Sequence, residues 1–498
     1  MDESLPSSVD VVVIGTGLPE AILASACARA GLSVLHLDTN QYYGGEWTSF
    51  TMSMIHEINE KPQKKPIDPE KLKKILKNQE EILDFFGERN VVEDVEIEWI
   101  ETEIKEKLET DGQMRRFSID LVPKVLLSKG AMVQTLCDSQ VSHYAEFKLV
   151  NRQLCPTISE EKITLNSVPC SKGEIFQCSA LSILEKRALM KFITFCTQWS
   201  TKNTEERREV LGEHADHPFS EFLKSMGVGE TLQEFIINTL GILQPRPSAI
   251  SGLTAACQFM DSVGHFGPSP FLFPLYGCGE LSQCFCRLAA VFGSLYCLGR
   301  PVQAMIRDSK TNEIVAVIAN EERIDCRHVI MSPRFVPDNI PEKCNEKVER
   351  VVWATQKSIQ ESEKEMLTLI NLASLRPSAA ISRIVETGFE ACTAPKGHFL
   401  VHATGTREDD VKVEQVVERI FEQNDIHPYW KMSFTINSMK FDPLHLPSNV
   451  HIAPPVDASL HYGNIIEECQ KMFCATWPDL DFLPRAIKNE EENLENEE

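Results

Sequence analysis

The sequence lacks most of the features that assign a protein to a membrane, to nucleic acid or to a metal. No apolar run reaches the roughly 18 residues that a bilayer-spanning helix needs. Its 16 cysteines include no C-x-x-C pair, and Cys284-Phe285-Cys286 is too closely spaced for a zinc knuckle. Lys and Arg number 50 against 73 Asp and Glu, a formal net charge of −23. This balance argues against nucleic acid and against an electrostatic membrane anchor.

Targeting signals and catalytic motifs are missing as well. The start, Met1-Asp2-Glu3-Ser4, is acidic and has no basic n-region, and the last residues carry no prenylation or retention signal. No nucleophile motif, zinc-binding helix or Walker loop is present. The sequence therefore predicts a cytosolic protein with reduced thiols, without catalytic residues and without a metal site.

Length and patterning predict more than one domain, since 498 residues exceed what one core usually holds. Strand and helix patterns of α/β type lie at both ends, and helical periodicity dominates the middle. The prediction is a mixed α/β fold with an all-α domain inserted into a discontinuous dinucleotide-binding-like domain of FAD/NAD type. The discontinuous domain comprises residues 1–115, including a charged segment at 57–113, and residues 267–485. The helical domain spans 116–266, and 486–498 form an acidic disordered tail.

The opening of the chain carries the strongest local signal. An apolar, β-branched run, Val11-Val12-Val13-Ile14, stops at Gly15-Thr16-Gly17, and a helical pattern follows. A second apolar run then ends at Asp38, which is typical of a βαβ unit that binds a dinucleotide.

One residue departs from that fingerprint. Glu20 stands where the third glycine or an alanine belongs, and its carboxylate competes with a phosphate for the positive end of the helix. The later segment Ala453-Pro454-Pro455-Val456-Asp457 also lacks the glycine that flavoproteins of this architecture usually place before the aspartate. We therefore expect Gly15, Gly17 and Glu20 to be a vestigial nucleotide motif, and no cofactor.

Further motifs resemble a known family. They are Gly15-Thr16-Gly17-Leu18-Pro19-Glu20, Asn40-Gln41-Tyr42-Tyr43-Gly44-Gly45 and Pro270-Phe271-Leu272-Phe273-Pro274-Leu275-Tyr276-Gly277-Cys278-Gly279-Glu280-Leu281. Together they resemble the two signatures shared by Rab GDP-dissociation inhibitors and Rab escort proteins. The likeness extends over the whole chain apart from residues 57–113 and the tail.

Smaller features favour the escort branch. Leu18-Pro19-Glu20 and Gln283-Cys284-Phe285-Cys286-Arg287 are similar to the escort forms. Phe176 precedes Leu184-Glu185-Lys186-Arg187, and the resemblance implies that Phe176 and Arg187 dock the α subunit of the Rab geranylgeranyl transferase heterodimer. Without the family, Phe176 could equally be a buried hydrophobic staple.

The resemblance also implies a surface that binds GDP-bound Rab GTPases. The matching residues are Tyr43, Glu280 and Arg287, with Tyr42, Gly44 and Gly45 beside them. Tyrosine offers contact area and a hydroxyl, while Glu and Arg form charge-assisted hydrogen bonds. Taken alone, Glu280 and Arg287 could equally form ion pairs within their own domain.

Two helical stripes are candidates for a prenyl groove. The first, Leu181, Leu184, Ala188, Phe192 and Phe195, has helical spacing, and the second includes Phe235 and Ile236. Ordinary core packing explains both stripes. The alternative hypothesis is that Leu184, Phe192, Phe195, Phe235 and Ile236 part to hold geranylgeranyl groups.

The resemblance as a whole implies a non-catalytic escort. It would present new Rab proteins for prenylation, shield the prenylated product and contact membranes transiently. Two alternatives stay open from sequence: a Rab GDP-dissociation inhibitor that does not recruit the transferase, and a flavin-dependent oxidoreductase on the same fold.

Overall fold

The structure is a computed structural model. It describes residues 5–59, 69–84, 89–159, 162–169, 172–177, 181–240, 247–337, 340–372, 375, 381–406 and 411–485. The predicted acidic tail, 486–498, and parts of the charged segment 57–113 lie outside the described residues. Among the described helices, none is long and apolar enough to cross a bilayer.

The described residues form the following strands and helices. The strands are β1 Ser8–Ile14, β2 Val34–Leu37, β3 Ser49–Phe50, β4 Glu80–Asp84, β5 Val92–Trp99, β6 Ile119–Asp120, β7 Leu126–Leu127, β8 Phe147–Leu149, β9 Arg152–Ser159, β10 Lys162–Ser167, β11 Phe271–Pro274, β12 Leu295–Cys297, β13 Val302–Asp308, β14 Ile314–Ala319, β15 Glu322–Met331, β16 Glu342–Thr355, β17 Thr368–Asn371, β18 Ser382–Thr387, β19 Phe399–Thr406, β20 Pro428–Phe441 and β21 Val450–Ile452. The helices are α1 Leu18–Arg29, α2 Pro69–Ile75, α3 Thr102–Thr110, α4 Ala131–Asp138, α5 Lys172–Gln177, α6 Ile183–Ser200, α7 Thr204–Leu211, α8 Phe219–Ser225, α9 Glu230–Leu240, α10 Ala249–Ser262, α11 Gly279–Val291, α12 Val413–Gln423 and α13 Gly463–Thr476.

The first sheet has the order β12-β2-β1-β15-β14-β13-β4, with β21 added beside β15. Strand β1 pairs in parallel with both β2 and β15, and Val12 lies opposite Leu35 and Val329. The valines of β1 are buried; α1 packs on β1 and β2, and α11 packs in turn on α1. Parallel strands buried on both faces read as continuous apolar runs, which explains Val11-Val12-Val13-Ile14. The predicted βαβ opening is confirmed.

The second sheet is mostly antiparallel, in the order β10-β9-β17-β18-β19-β16-β20-β5. Its centre is the long pair β16 and β20, and α12 packs against it through the buried residues Val413, Val417 and Ile420. Strand β5, from the charged segment, forms one edge with Val95, Ile97 and Trp99 turned inward. The alternation of acidic and apolar residues there is that of a half-exposed edge strand.

Helices α5 to α10 pack together between residues 172 and 262 around their own apolar cluster. They begin later than the expected boundary at 116, because the residues between 119 and 167 form α4 and five strands, β6 to β10. Two of these, β9 and β10, belong to the second sheet. Short strands and one short helix have too few residues for their periodicity to distinguish them, in the sequence, from a helical region. The division into domains stays a prediction.

Candidate functional site

The glycine turn after β1 is closed by internal hydrogen bonds. Gly15 has a φ of +101°, which the turn between β1 and α1 requires. The Asp38 carboxylate accepts hydrogen bonds from the Thr16 N–H at 2.8 Å and from the Thr16 hydroxyl at 2.6 Å. Asp38 also accepts from the Asn40 N–H at 2.8 Å. Asp38, the acid that would bind a ribose, therefore already accepts hydrogen bonds from the protein itself.

Two carboxylic acids lie buried at the start of α1. Glu20 is 1% exposed, and Glu46 is buried beside it. Burial raises the pKa of Glu20 well above its usual range, and the charge of Glu46 adds to that increase. Burial also raises the pKa of Glu46, although the nearby Arg334 lowers it in part. The protein therefore favours protonated carboxyl groups where a nucleotide-binding fold places a phosphate.

The residues around the turn do not fit a pyrophosphate. A Cβ on Gly15 would lie 3.0 Å from the Phe335 ring, and one on Gly17 would collide with the Glu20 carboxylate and lie 3.1 Å from Trp47. The space that two glycines leave open for a phosphate is thus filled by protein side chains.

The buried Glu20 leads to a pH-dependent stability prediction. Because its pKa is higher in the folded than in the unfolded protein, its contribution to stability is complete below about pH 4.5 and is lost as the pH rises through the raised pKa. The Glu20→Gln variant keeps the shape without the charge. We expect it to be more stable than the parent at pH 8, by roughly 1–3 kcal/mol, and the gain to shrink towards pH 5. Thermal unfolding of variant and parent across this pH range measures the gain, and Glu106→Gln, at an exposed position, is the control. A gain that does not depend on pH would contradict the account.

The predicted Rab-binding residues lie around α11. Glu280 lies in its first turn, half-buried, and Arg287 is exposed two turns later with its Cζ 4.4 Å from the centre of the Tyr144 ring. Tyr43 is partly exposed, and its ring centre lies 6.0 Å from that of Tyr296 on β12. Burial and the nearby Cys286 thiol of α11 raise the pKa of Tyr43. The structure thus places Tyr43, Glu280 and Arg287 on or beside one helix.

The residues flanking Tyr43 position it and offer little surface themselves. Tyr42 packs edge-on against Phe50, with ring centres 5.1 Å apart, and burial raises its pKa to about 12. Gly44 and Gly45 are both buried, and both have positive φ. The Gly44 N–H donates to the Thr16 hydroxyl at 3.0 Å. The two glycines shape the turn that carries Tyr43, and direct contact of Tyr42, Gly44 and Gly45 with a partner stays a prediction.

An exposed apolar patch adjoins this surface. The sequence alone did not identify it as a patch. Val291 and Phe292 end α11, Leu295 begins β12, and all three side chains are exposed. Arg29 lies over the Phe292 ring at 5.5 Å. The periodicity of α11 continues to Val291, so only the exposure in the structure distinguishes these residues from core.

Phe176 and Arg187 lie at a second surface. Phe176, near the end of α5, is 64% exposed, which excludes the buried staple. Arg187 is exposed on α6. The Lys186 ammonium donates to the Phe176 carbonyl at 2.8 Å and so connects the two helices. An exposed aromatic ring and an exposed arginine on two connected helices are the residue types found in interaction hot spots.

The candidate prenyl-groove residues separate in the structure. Phe192, Phe235 and Ile236 line an apolar cavity of about 70 Å³ among α5, α6, α9 and α10. Phe195 packs outside its lining against Phe222, with ring centres 5.5 Å apart. Leu184 is 75% exposed and lies outside that lining, so its place in a groove stays a prediction. The buried stripe of α6 is Leu189, Phe192, Cys196 and Trp199, and Leu184 does not belong to it.

Comparisons with known proteins identify the family of this chain. The family model described as GDP dissociation inhibitor matches residues 1–86 and 70–485. The chain is 70% identical over 99% of its length to "Rab proteins geranylgeranyltransferase component A 1" of Caenorhabditis elegans, of which it covers 97%. It is 31% identical, over its full length, to the component A of Drosophila melanogaster, of which it covers 94%.

Solved structures show the same fold. A crystal structure of Rab GDI from Plasmodium falciparum superposes with a TM-score of 0.72 at 20% identity, covering 96% of this chain and all of that one. An oxidoreductase from Methanosarcina mazei superposes with a TM-score of 0.51 at 10% identity, covering 93% of this chain and 99% of that one. The predicted mixed α/β fold of dinucleotide-binding type is thus confirmed. On the sequence match and the two signatures together, the chain belongs to the GDP dissociation inhibitor family.

Proposed function

We propose that this protein is a Rab escort protein, the accessory component A of Rab geranylgeranyl transferase. It binds newly made, GDP-bound Rab GTPases and presents them to the transferase for prenylation of their C-terminal cysteines. It then shields the lipid and delivers the prenylated Rab to a membrane. The observation that carries the proposal is the 70% identity, over nearly the whole chain, to a relative named component A.

The proposal assigns no chemistry to the protein itself. Within the described residues, no group of three or more His, Cys, Asp or Glu side chains could hold a metal. The glycine turn does not fit a pyrophosphate, since Glu20, Trp47 and Phe335 fill it. The filled glycine turn disfavours the flavin-dependent alternative. The proposed accessory is cytosolic and touches membranes only transiently.

In this proposal, Tyr43, Glu280 and Arg287 bind the GTPase domain. The support is their arrangement on and beside α11, with Arg287 exposed and held over the Tyr144 ring. A guanidinium held by an aromatic face is oriented for a carboxylate of the partner without a large loss of side-chain entropy. The exposed apolar residues at the end of α11 then extend the contact area.

The same proposal places the transferase heterodimer on Phe176 and Arg187, through its α subunit. The exposure of Phe176 supports this placement. A Rab GDP-dissociation inhibitor, the second candidate, does not recruit the transferase, so transferase binding separates the two functions.

The geranylgeranyl chain would occupy the cavity lined by Phe192, Phe235 and Ile236. At about 70 Å³ that cavity is far smaller than a geranylgeranyl group, so helices α6, α9 and α10 have to move apart. Burial of each methylene contributes roughly 0.8 kcal/mol, which offsets the opening.

Rab binding through α11 is tested with Arg287→Ala. We expect this variant to bind GDP-bound Rab about 30-fold more weakly, because a central arginine contact is lost, while its thermal stability is unchanged. Arg287→Lys should recover only part of the affinity, since an ammonium lacks the planar fork. A titration of fluorescent GDP-bound Rab measures these affinities, and Arg208→Ala, at an exposed position of α7, is the control. Unchanged affinity in Arg287→Ala would overturn the placement of the GTPase.

A further inference from the structure

Two cysteines meet where α10 packs on α6. Cys196 lies on α6 and Cys257 on α10, 61 residues apart in sequence, and both are free thiols. The Cys257 thiol donates to the Cys196 carbonyl at 3.5 Å, and the two thiols are in hydrogen-bond contact with each other. Because a cysteine side chain has only one heavy atom beyond Cβ, these contacts require a close approach of the two helices. A pair placed in this way needs little movement to form a disulfide.

The two thiols differ in reactivity. The Cys196 thiol, as hydrogen-bond donor, lowers the pKa of Cys257 below its ordinary 9.0, although burial and Asp261 oppose this, and the Arg207 guanidinium lowers it further. The same hydrogen bond, together with burial, raises the pKa of Cys196. Cys257 is also the more accessible of the two, at 7% exposed against 0% for Cys196. Since the thiolate is the nucleophile, Cys257 is the thiol that reacts first.

The pair adjoins the apolar cavity among α5, α6, α9 and α10. Phe192 lines that cavity from α6, and Ala256 and Met260 line it from α10. Cys196 follows Phe192 by one helical turn, and Cys257 is next to Ala256. A bond between the two sulfurs would therefore connect the two helices immediately beside the cavity.

We propose that Cys196 and Cys257 are an oxidative modification site, where hydrogen peroxide forms a disulfide that holds α6 against α10 and keeps the cavity closed. A disulfide limits the separation of its Cα atoms to about 7 Å, so the two helices cannot part at this point. The closure of the cavity rests on the proposed function, because that function requires the helices to separate around a geranylgeranyl chain. In the cytosol, where thiols are kept reduced, such a bond is transient and serves as a redox sensor.

The oxidation takes place in two steps. The Cys257 thiolate attacks one oxygen of the peroxide, the O–O bond breaks, and the released hydroxide takes up the thiol proton as the first water. Cys257 is then a sulfenic acid. The Cys196 sulfur attacks the Cys257 sulfur, the S–S bond forms and the S–O bond breaks, and the departing hydroxyl takes the Cys196 proton as the second water. The two thiols together lose two electrons, which reduce one peroxide to two waters.

The test treats the full-length protein with hydrogen peroxide, blocks the remaining thiols and identifies linked peptides by mass spectrometry. Cys196→Ala and Cys257→Ala each remove one partner, and Cys155→Ala, at a buried position of β9, is the matched control. Oxidised and reduced samples are titrated with a fluorescent S-geranylgeranyl cysteine and, separately, with unprenylated GDP-bound Rab. Thermal unfolding of each reduced variant checks that it is folded.

We expect peroxide to link Cys196 to Cys257 in the parent and in Cys155→Ala, but not in Cys196→Ala or Cys257→Ala. The linked protein should bind the geranylgeranyl probe at least roughly tenfold more weakly, and dithiothreitol should restore the affinity. Binding of unprenylated Rab should not change, because α11 lies outside the linked pair.

Three results would contradict parts of this account, and they are distinguishable. If peroxide gives no linked peptide in the parent, the modification site is wrong. If the linked protein binds the geranylgeranyl probe as tightly as the reduced protein, the disulfide does not close the cavity. Failure of the reduced parent to bind Rab would refute the proposed function instead, and the peptide mapping, which needs no Rab, would still decide the modification site.

Discussion

The Phe176→Ala variant is expected to lose nearly all transferase binding while it still binds GDP-bound Rab. Truncating a central aromatic anchor typically costs about 2–4 kcal/mol, a loss of roughly 30- to 1,000-fold in affinity. Phe176 is mostly exposed, so the substitution removes little packing within this protein. The measurement is a titration of the transferase heterodimer against each variant, followed by a titration of GDP-bound Rab.

The controls for Phe176 separate docking from folding. Phe292→Ala removes another exposed phenylalanine, at the end of α11, and should leave transferase binding intact. Arg187→Ala should weaken transferase binding less than Phe176→Ala does, since it removes one charged contact and leaves the aromatic ring. Parallel losses of Rab and transferase binding in Phe176→Ala would mean that the residue supports the fold, and transferase binding at the parent level would contradict the docking assignment.

Replacing the buried Lys124 is expected to destabilise the protein severely. Lys124 is fully buried, and its ammonium is paired with Asp457 and donates to the Ser459 carbonyl at 2.6 Å and hydroxyl at 2.9 Å. These bonds connect the segment before β7 to the chain before α13. Lys124→Met leaves Asp457 and these oxygens without their cation, a change that costs about 3–5 kcal/mol. We expect a fall of about 3–5 °C in the thermal midpoint, since unfolding 498 residues as one unit releases roughly 1 kcal/mol per kelvin of entropy.

The pH dependence of this pair follows from Asp457. Burial acts to raise the pKa of Asp457, but the Lys124 ammonium outweighs it and lowers the pKa to about 2, from an ordinary 3.8. A carboxyl whose pKa is lowered by folding stabilises the protein above its unfolded pKa, and this contribution disappears as the pH falls from about 4 towards 2. Thermal scans of Lys124→Met against the exposed Lys129→Met measure the effect. Equal midpoints for the two variants would contradict the role given to the buried lysine.

The sequence was most informative where structure is local. The run from Val11 to Asp38 predicts strand, turn, helix and strand without help from distant residues, and these elements are found. Strand β5, at the edge of the second sheet, lies in the charged segment and was not predicted. The long strands β16 and β20 were not predicted, because their pairing is between residues about 80 positions apart.

The site was predictable in its residue types but not in its contacts. Helical spacing places Leu184 and Phe192 in one stripe, yet α6 begins at Ile183, and Leu184 in its first turn stays exposed. Position along a helix does not reveal where the neighbouring helices end. Trp47 and Phe335 fill the glycine turn through tertiary packing that no local pattern encodes.

The most direct test of the escort function is a reconstituted prenylation assay. It combines unprenylated GDP-bound Rab, the transferase heterodimer and labelled geranylgeranyl diphosphate, with and without this protein. We expect label on the Rab only when the protein is present, and a much lower rate with Phe176→Ala. No label in the presence of the protein, together with extraction of prenylated Rab from membranes, would contradict the escort function and assign the protein to the GDP-dissociation inhibitors.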